Sequence, residues 1–197
     1  MRRPNLDVRL SWLELAEPDV PTALAGVNPE RRVVVVPLLL STGYHDRVDI
    51  PAAIAAARPD AAQATVLGPD PLLAGALADR LAAAGRRPGD AVVLAAAGSS
   101  DPDAVAAVHA QAELLAGLLT APVTAAFGSA AEPDVRTAVA AARPGRVAVA
   151  PYLLAPGFFA ARLADAGADV VAEPLGAHPA VVTLALRRYA AASSTQS

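Results

Sequence analysis

The sequence predicts an α/β protein with buried parallel sheets, built as a tandem duplication of one α/β half. Three observations point there. Short Val/Ala/Leu runs alternate with Ala/Leu-rich stretches of helical period, and strands that read as continuous apolar runs are those covered by helices on both faces. Prolines stand at the expected helix starts, preceded in four of five cases by an acid, which suits the first turn and the positive end of the helix dipole. Three motifs also recur in the same order. Ala16-Glu17-Pro18-Asp19-Val20 returns as Ala131-Glu132-Pro133-Asp134-Val135, and Pro37-Leu38-Leu39-Leu40 as Pro151-Tyr152-Leu153-Leu154. Leu67-Gly68-Pro69-Asp70-Pro71 returns as Leu175-Gly176-Ala177-His178-Pro179, and the three offsets drift only from 115 through 114 to 108. Self-similarity of this kind marks a repeated structural unit.

In chain order, the first half reads as strand 8–15, helix 18–26, strand 32–41, helix 49–57, strand 64–67 and helix 71–84. Each strand is an apolar run, and the helices at 18 and 71 begin at Glu17-Pro18 and Asp70-Pro71. The Gly85-Arg86-Arg87-Pro88-Gly89 stretch reads as the joint, giving halves 1–88 and 89–197. The second half reads as strand 90–97, helix 102–119, strand 122–127, helix 133–142, strand 146–153, helix 158–166, strand 169–173 and helix 179–192. Its opening strand and helix precede the Glu-Pro-Asp-Val motif, and subtracting 115 places their first-half counterpart at −25 to +4. The first half therefore lacks that strand and helix; either the copy was never complete or the chain starts late, and a late start is the expectation.

The composition excludes several function classes. With 54% hydrophobic residues over 197 positions, the chain has ample material for a core. The longest apolar run is interrupted by Pro37, well short of the ~20 residues a spanning helix needs. Met1-Arg2-Arg3-Pro4 has no apolar stretch behind it, so no secretory signal is expected. All 16 basic residues are arginine, against 19 acids, for a net charge of −3; without a basic patch, nucleic-acid binding is not expected. The absence of lysine removes Schiff-base chemistry and a Walker lysine. The absence of cysteine removes disulfides, thiol nucleophiles and thiolate metal sites. Three histidines, the carboxylates and the hydroxyls remain.

In open parallel sheets, ligands bind beyond the carboxyl ends of the strands, which here places 14–16, 41–49, 97–101 and 155–159 at the candidate site. The densest is Ser41-Thr42-Gly43-Tyr44-His45-Asp46-Arg47-Val48-Asp49. Gly43 allows an unusual turn, and His45 behind a buried strand offers a neutral imidazole, the commonest metal ligand and a proton acceptor near neutral pH. Arg47 can hold a substrate carboxylate. Against this stands the plainer reading of His45 as a loop cap. Glu14 interrupts an apolar run at a strand end, where burying an unpaired carboxylate is costly; a functional and a surface-facing role remain open. His178 and its counterpart Asp70 read as helix caps, and His109 reads as solvent-facing. The Ala97-Gly98-Ser99-Ser100-Asp101-Pro102 turn reads as an ordinary glycine turn with an aspartate cap, with anion binding on its N–H groups as the alternative. In the repeat, Tyr44 and His45 align with Phe158 and Phe159, and Glu14 with Ser129. Scaffold residues are duplicated while titratable ones are replaced, so chemistry belongs to the first half.

The segments Pro37-Leu-Leu-Leu-Ser-Thr-Gly-Tyr-His-Asp-Arg-Val-Asp-Ile-Pro51 and Leu13-Glu-Leu-Ala-Glu-Pro18 resemble the sirohydrochlorin chelatases, the CbiX-type class II metal chelatases. Leu153-Leu-Ala-Pro-Gly-Phe-Phe159 and Leu175-Gly-Ala-His-Pro179 resemble the degenerate second half of the two-domain form of that family. The likeness covers nearly the whole chain. It implies two chelatase-like (flavodoxin-like) three-layer α/β/α domains and a lyase that inserts Co²⁺ or Fe²⁺ into sirohydrochlorin, toward cobalamin or sirohaem. In the family two histidines carry the reaction. His45 matches the one in Gly-Tyr-His; the other, in a His-Gly-Ser motif, has no first-half counterpart and reads Ala97-Gly98-Ser99 in the second half. The resemblance thus implies His45 as metal ligand and proton acceptor, Glu14 assisting at the metal, and Ser41, Thr42, Gly43, Tyr44 and Arg47 around the tetrapyrrole. Imidazole and carboxylate suit transient holding of Co²⁺ or Fe²⁺, where thiolates would trap the ion. No permanent cofactor is implied, since the metal is a substrate. The implied setting is cytoplasmic, with no nucleic-acid or membrane partner and homodimerisation left open. The rival reading is a non-catalytic tetrapyrrole- or metal-binding protein derived from a chelatase; a flavodoxin-like phosphate-binding module is the third.

Overall fold

The computed structural model describes residues 6–163 and 165–194. In the first half, α1 (Val20–Ala25) precedes β1 (Val34–Val35), and α2 (Ile50–Ala57) leads into β2 (Ala62–Gln63) and α3 (Pro71–Ala83). The second half runs β3 (Ala91–Ala96), α4 (Pro102–Leu119), β4 (Val123–Phe127), α5 (Val135–Ala141), β5 (Val147–Tyr152), α6 (Phe158–Leu163), β6 (Val170–Val171) and α7 (Pro179–Ser194). β1 and β2 pair in parallel, and the other strands form a parallel sheet ordered β4-β3-β5-β6.

Side-chain alternation explains why β3 and β5 read as uninterrupted apolar runs. Val92, Leu94 and Ala96 join Ala148, Ala150 and Tyr152 on one face, against Leu73, Leu77 and Leu81 of α3, Leu115 of α4 and Leu184 of α7. Val93, Ala95, Val147 and Val149 face the other way, against Val135, Ala138 and Val139 of α5 and Leu163 of α6. Helices on both faces leave no strand position polar. The first core contains α3, so the two halves share it.

The duplication is visible in strand register. Val34↔Ala62 and Val35↔Gln63 recur as Ala148↔Val170 and Val149↔Val171, at the sequence offsets of 114 and 108. The isolated bridge Trp12↔Asp19 recurs as Phe127↔Asp134. The backbone N–H of Asp19 donates to Glu17 at 3.1 Å, and that of Asp134 donates to Glu132 at 3.1 Å.

Several expectations need correction. The 8–15 segment forms no strand beyond its one bridge. In the second half β3 lies between β4 and β5; among the described residues the first half has no strand in that position. Without a neighbour to close the ladder, 8–15 stays irregular, with Val8 82% and Leu15 104% exposed. The strands expected at 32–41 and 64–67 shrink to the two residues of β1 and to β2, which lies just upstream at Ala62–Gln63. Pro71, Pro102 and Pro179 do open their helices, but Pro18 and Pro133 lie before the Asp19 and Asp134 caps, and α1 and α5 start beyond them.

Candidate functional site

The halves meet along a cleft of about 240 Å³ at the carboxyl ends of β1, β3 and β5, lined by Leu38–Ser41 on one side and by Ala96, Ala97, Gly98 and Ser99 with Phe127 and Tyr152 on the other. Its floor is a polar knot. The Tyr152 hydroxyl donates to the Leu40 carbonyl at 2.8 Å, and the buried Gln111 Oε1 accepts the backbone N–H of Asp70 at 2.9 Å. Burial, then the charge of Asp70, pushes the Tyr152 phenol far above its ordinary value, so it stays a neutral donor. Gly68 sits where any side chain would collide with the Tyr152 hydroxyl and the Leu40 carbonyl. Gly98 combines φ +99° with contact on the Ser129 backbone, so only glycine fits there. The neighbouring turn is an ordinary cap: the N–H of Asp101 donates to Ser99 and that of Asp103 to Asp101.

After β1 the chain passes Ser41, which lines the cleft, and Thr42–Tyr44, then makes a π-helical turn over His45–Asp49 that runs straight into α2. That wide turn aligns His45 with Asp49, and His45 Nδ1 lies 2.6 Å from an Asp49 oxygen. Their side chains keep 51% and 33% exposure. A carboxylate on Nδ1–H fixes the tautomer and leaves the lone pair on Nε2. Asp46 serves the scaffold, accepting from the Thr42 hydroxyl at 3.0 Å and from the Gln63 side chain at 2.9 Å.

Arg47 crosses between the halves. It donates to Thr42 at 3.2 Å and to Asp103 at 2.7 Å, and lies 3.6 Å from Asp101. The hydrogen bond to Asp103 raises its pKa, opposed by desolvation and aided by Asp101, Asp103 and Asp46. The arginine expected to meet a substrate carboxylate is thus already paired.

The structure brings together Ser41, Thr42, His45 and Arg47 of the expected set, and adds Asp49, Asp101 and Asp103. The i, i+4 spacing of His45 and Asp49 carried a readable signal; the Asp101 and Asp103 pairing, 56 residues away for Asp103, did not. Gly43 has no positive φ and open space around its Cα, so the expected special turn is absent. Tyr44 is 68% exposed. Glu14 is exposed in an irregular segment rather than at a strand end. His178 caps α7, accepting the Ala180 N–H at 3.2 Å, as Asp70 caps α3, and His109 is exposed, edge-on to Phe127. Among the described residues no three His, Cys, Asp or Glu side chains gather closely enough to cage a metal, and no helix is long and apolar enough to cross a membrane.

Two repeated parallel α/β units flanking a cleft, with a carboxylate-backed histidine beyond a strand end, define a chelatase-type α/β protein. The CbiX family model matches residues 1–84 and 91–192, and the chain belongs to the CbiX family. It is similar to SirB from Bacillus subtilis with Fe³⁺, at 28% identity over 92% of this chain and 80% of that one, with a TM-score of 0.79. The sirohydrochlorin chelatase SirB from Bacillus subtilis subspecies spizizenii in complex with cobalt aligns at 29% identity over 90% and 77% of the chains, with a TM-score of 0.71. DR2241 from Deinococcus radiodurans, a multi-domain protein with structural similarity to chelatases, shares the fold at 23% identity, over 88% of this chain and 44% of that one, with a TM-score of 0.67. No curated protein matches.

Proposed function

We propose that this protein is a sirohydrochlorin chelatase that inserts Co²⁺ or Fe²⁺ into the tetrapyrrole, with residues 1–88 carrying the chemistry and 89–197 forming a half with a degenerate site. The single observation behind this reading is the His45–Asp49 pair, 2.6 Å apart just beyond the cleft-lining Ser41. With Nδ1–H held by Asp49, Nε2 is free to bind a divalent ion as one ligand among waters. An ion held by one imidazole keeps positions open for the four ring nitrogens, so it can be passed on. As it moves, two pyrrole protons leave; Nε2, vacated by the metal, accepts one at a time and returns it to water, and Asp49 stabilises the imidazolium formed. Glu14 is assigned an assisting role at the metal, and Ser41, Thr42, Gly43, Tyr44 and Arg47 contact with the macrocycle. Partner and substrate are then one tetrapyrrole and one metal ion, in the cytoplasm, without a resident cofactor.

The test is anaerobic: sirohydrochlorin absorbance is followed with the protein and Co²⁺ or Fe²⁺. Metallation faster than the protein-free rate is expected. Binding of the tetrapyrrole without acceleration favours the second reading, a non-catalytic tetrapyrrole- or metal-binding protein, which Ala97 at the second histidine's place and the lack of a three-ligand cluster among the described residues support.

A further inference from the structure

The second half holds a smaller pocket of about 80 Å³ next to the cleft, and both cavities are lined by Ala96, Phe127 and Leu153. Phe159 stands in it at the position that His45 holds in the repeat, its ring about 3.0 Å from where a side chain on Gly128 would begin. Phe158, in the place of Tyr44, is 71% exposed with its ring edge-on to Phe159 at 5.6 Å. Arg162 lies over the Phe158 ring at 5.5 Å, and both Arg162 and Arg136 line the pocket. Both arginines are exposed, and among the described residues neither has a carboxylate within salt-bridge distance. Asp134, also in the lining, is occupied: its carboxylate accepts the N–H groups of Arg136 and Thr137 at 2.9 and 3.1 Å.

We propose that this pocket is a docking subsite for a planar, carboxylate-bearing macrocycle, with Arg136 and Arg162 receiving carboxylate arms and Phe158 lying against the ring. The choice of ligand rests on the chelatase reading. A volume of 80 Å³ is roughly that of three waters, so an acetate- or propionate-sized arm enters while the ring stays outside, over the exposed Phe158. A guanidinium stacked on an aromatic face keeps its in-plane N–H donors available, and those donors match a carboxylate in pairs. Arg47, by contrast, already has Asp103 and Asp101 as partners. The second half thus places two exposed arginines and an exposed aromatic ring next to the cleft that the halves share.

The test uses the full chain and uroporphyrin, a planar tetrapyrrole with eight carboxylates, with binding read by porphyrin fluorescence anisotropy and metallation of sirohydrochlorin read in parallel. Losing one charge-assisted hydrogen bond predicts a roughly ten-fold higher Kd for Arg136→Gln and for Arg162→Gln, and Phe158→Ala a roughly three-fold higher one. Arg187→Gln, which removes the same charge from exposed α7, is expected to bind as the wild type does. Unchanged binding in both pocket variants, equal weakening by Arg187→Gln, or no binding by the wild type overturns the subsite. A wild type that binds, loses affinity in the pocket variants and yet does not metallate overturns the chelatase reading and leaves the subsite standing.

Discussion

The two halves hold the same elements in the same register and differ in what surrounds them. In the second, β3 sits between two neighbours and both sheet faces are covered, so Leu94, Val147 and Val149 are wholly buried. In the first, Leu67 and α3 pack into that same core, the separate cluster of its own is only Val20, Leu24, Ile50 and Ile54, and Val8, Leu10 and Leu15 face outward. The titratable groups run the other way: His45 and Asp49 in the first half stand where the second has phenylalanine at the histidine position. Packing holds the apolar strand positions, and capping holds the repeated Asp19 and Asp134 at the starts of α1 and α5. The His45 and Phe159 position carries neither demand and differs between the halves.

The largest effect that sharpens this contrast is on stability. Leu94→Ala removes a fully buried side chain and is expected to cost about 3–5 kcal/mol. Ile54→Ala, in the thinner first-half core, should fall at or below about 2 kcal/mol. Urea unfolding checks both, and equal losses would break the contrast. Next is Asp49→Ala, which removes the acceptor that orients the imidazole; metal insertion should drop roughly ten-fold, with the unfolding midpoint unchanged. The Arg47 bridge to Asp103 is solvent-exposed, and such pairs add little to stability, so Asp103→Asn should leave that midpoint in place.

The smallest predicted effect is on acid stability and links the halves. Hydrogen bonds from Thr22 and from Thr137 hold the matching caps Asp19 and Asp134 below the ordinary carboxylate range. A depressed folded pKa adds stability above the unfolded value of about 3.9, and this is lost as pH falls through the folded one. Asp134→Asn should therefore flatten the acid limb of the stability–pH curve, and Asp19→Asn should do the same.

Much of this was legible from sequence. α4 matches its expected span, because an aspartate cap and a leading proline state its start locally. The apolar runs of β3 and β5 announced a sheet buried on both faces. The 8–15 run has strand composition too, but a strand needs a neighbour, and composition does not report whether one is there. At the site, the Gly43-Tyr44-His45 motif pointed to the segment that follows the cleft-lining Ser41. The Arg47–Asp103 contact and the Phe158–Arg162 face depend on how distant segments fold together, which local patterns do not encode.

In the function proposed here, the first half alone carries the chemistry, through His45. Anaerobic metal insertion by the wild type, His45→Ala and His109→Ala decides this. A loss of about 100-fold or more is expected for His45→Ala and a wild-type rate for His109→Ala. A His45→Ala rate equal to the wild type's would rule His45 out.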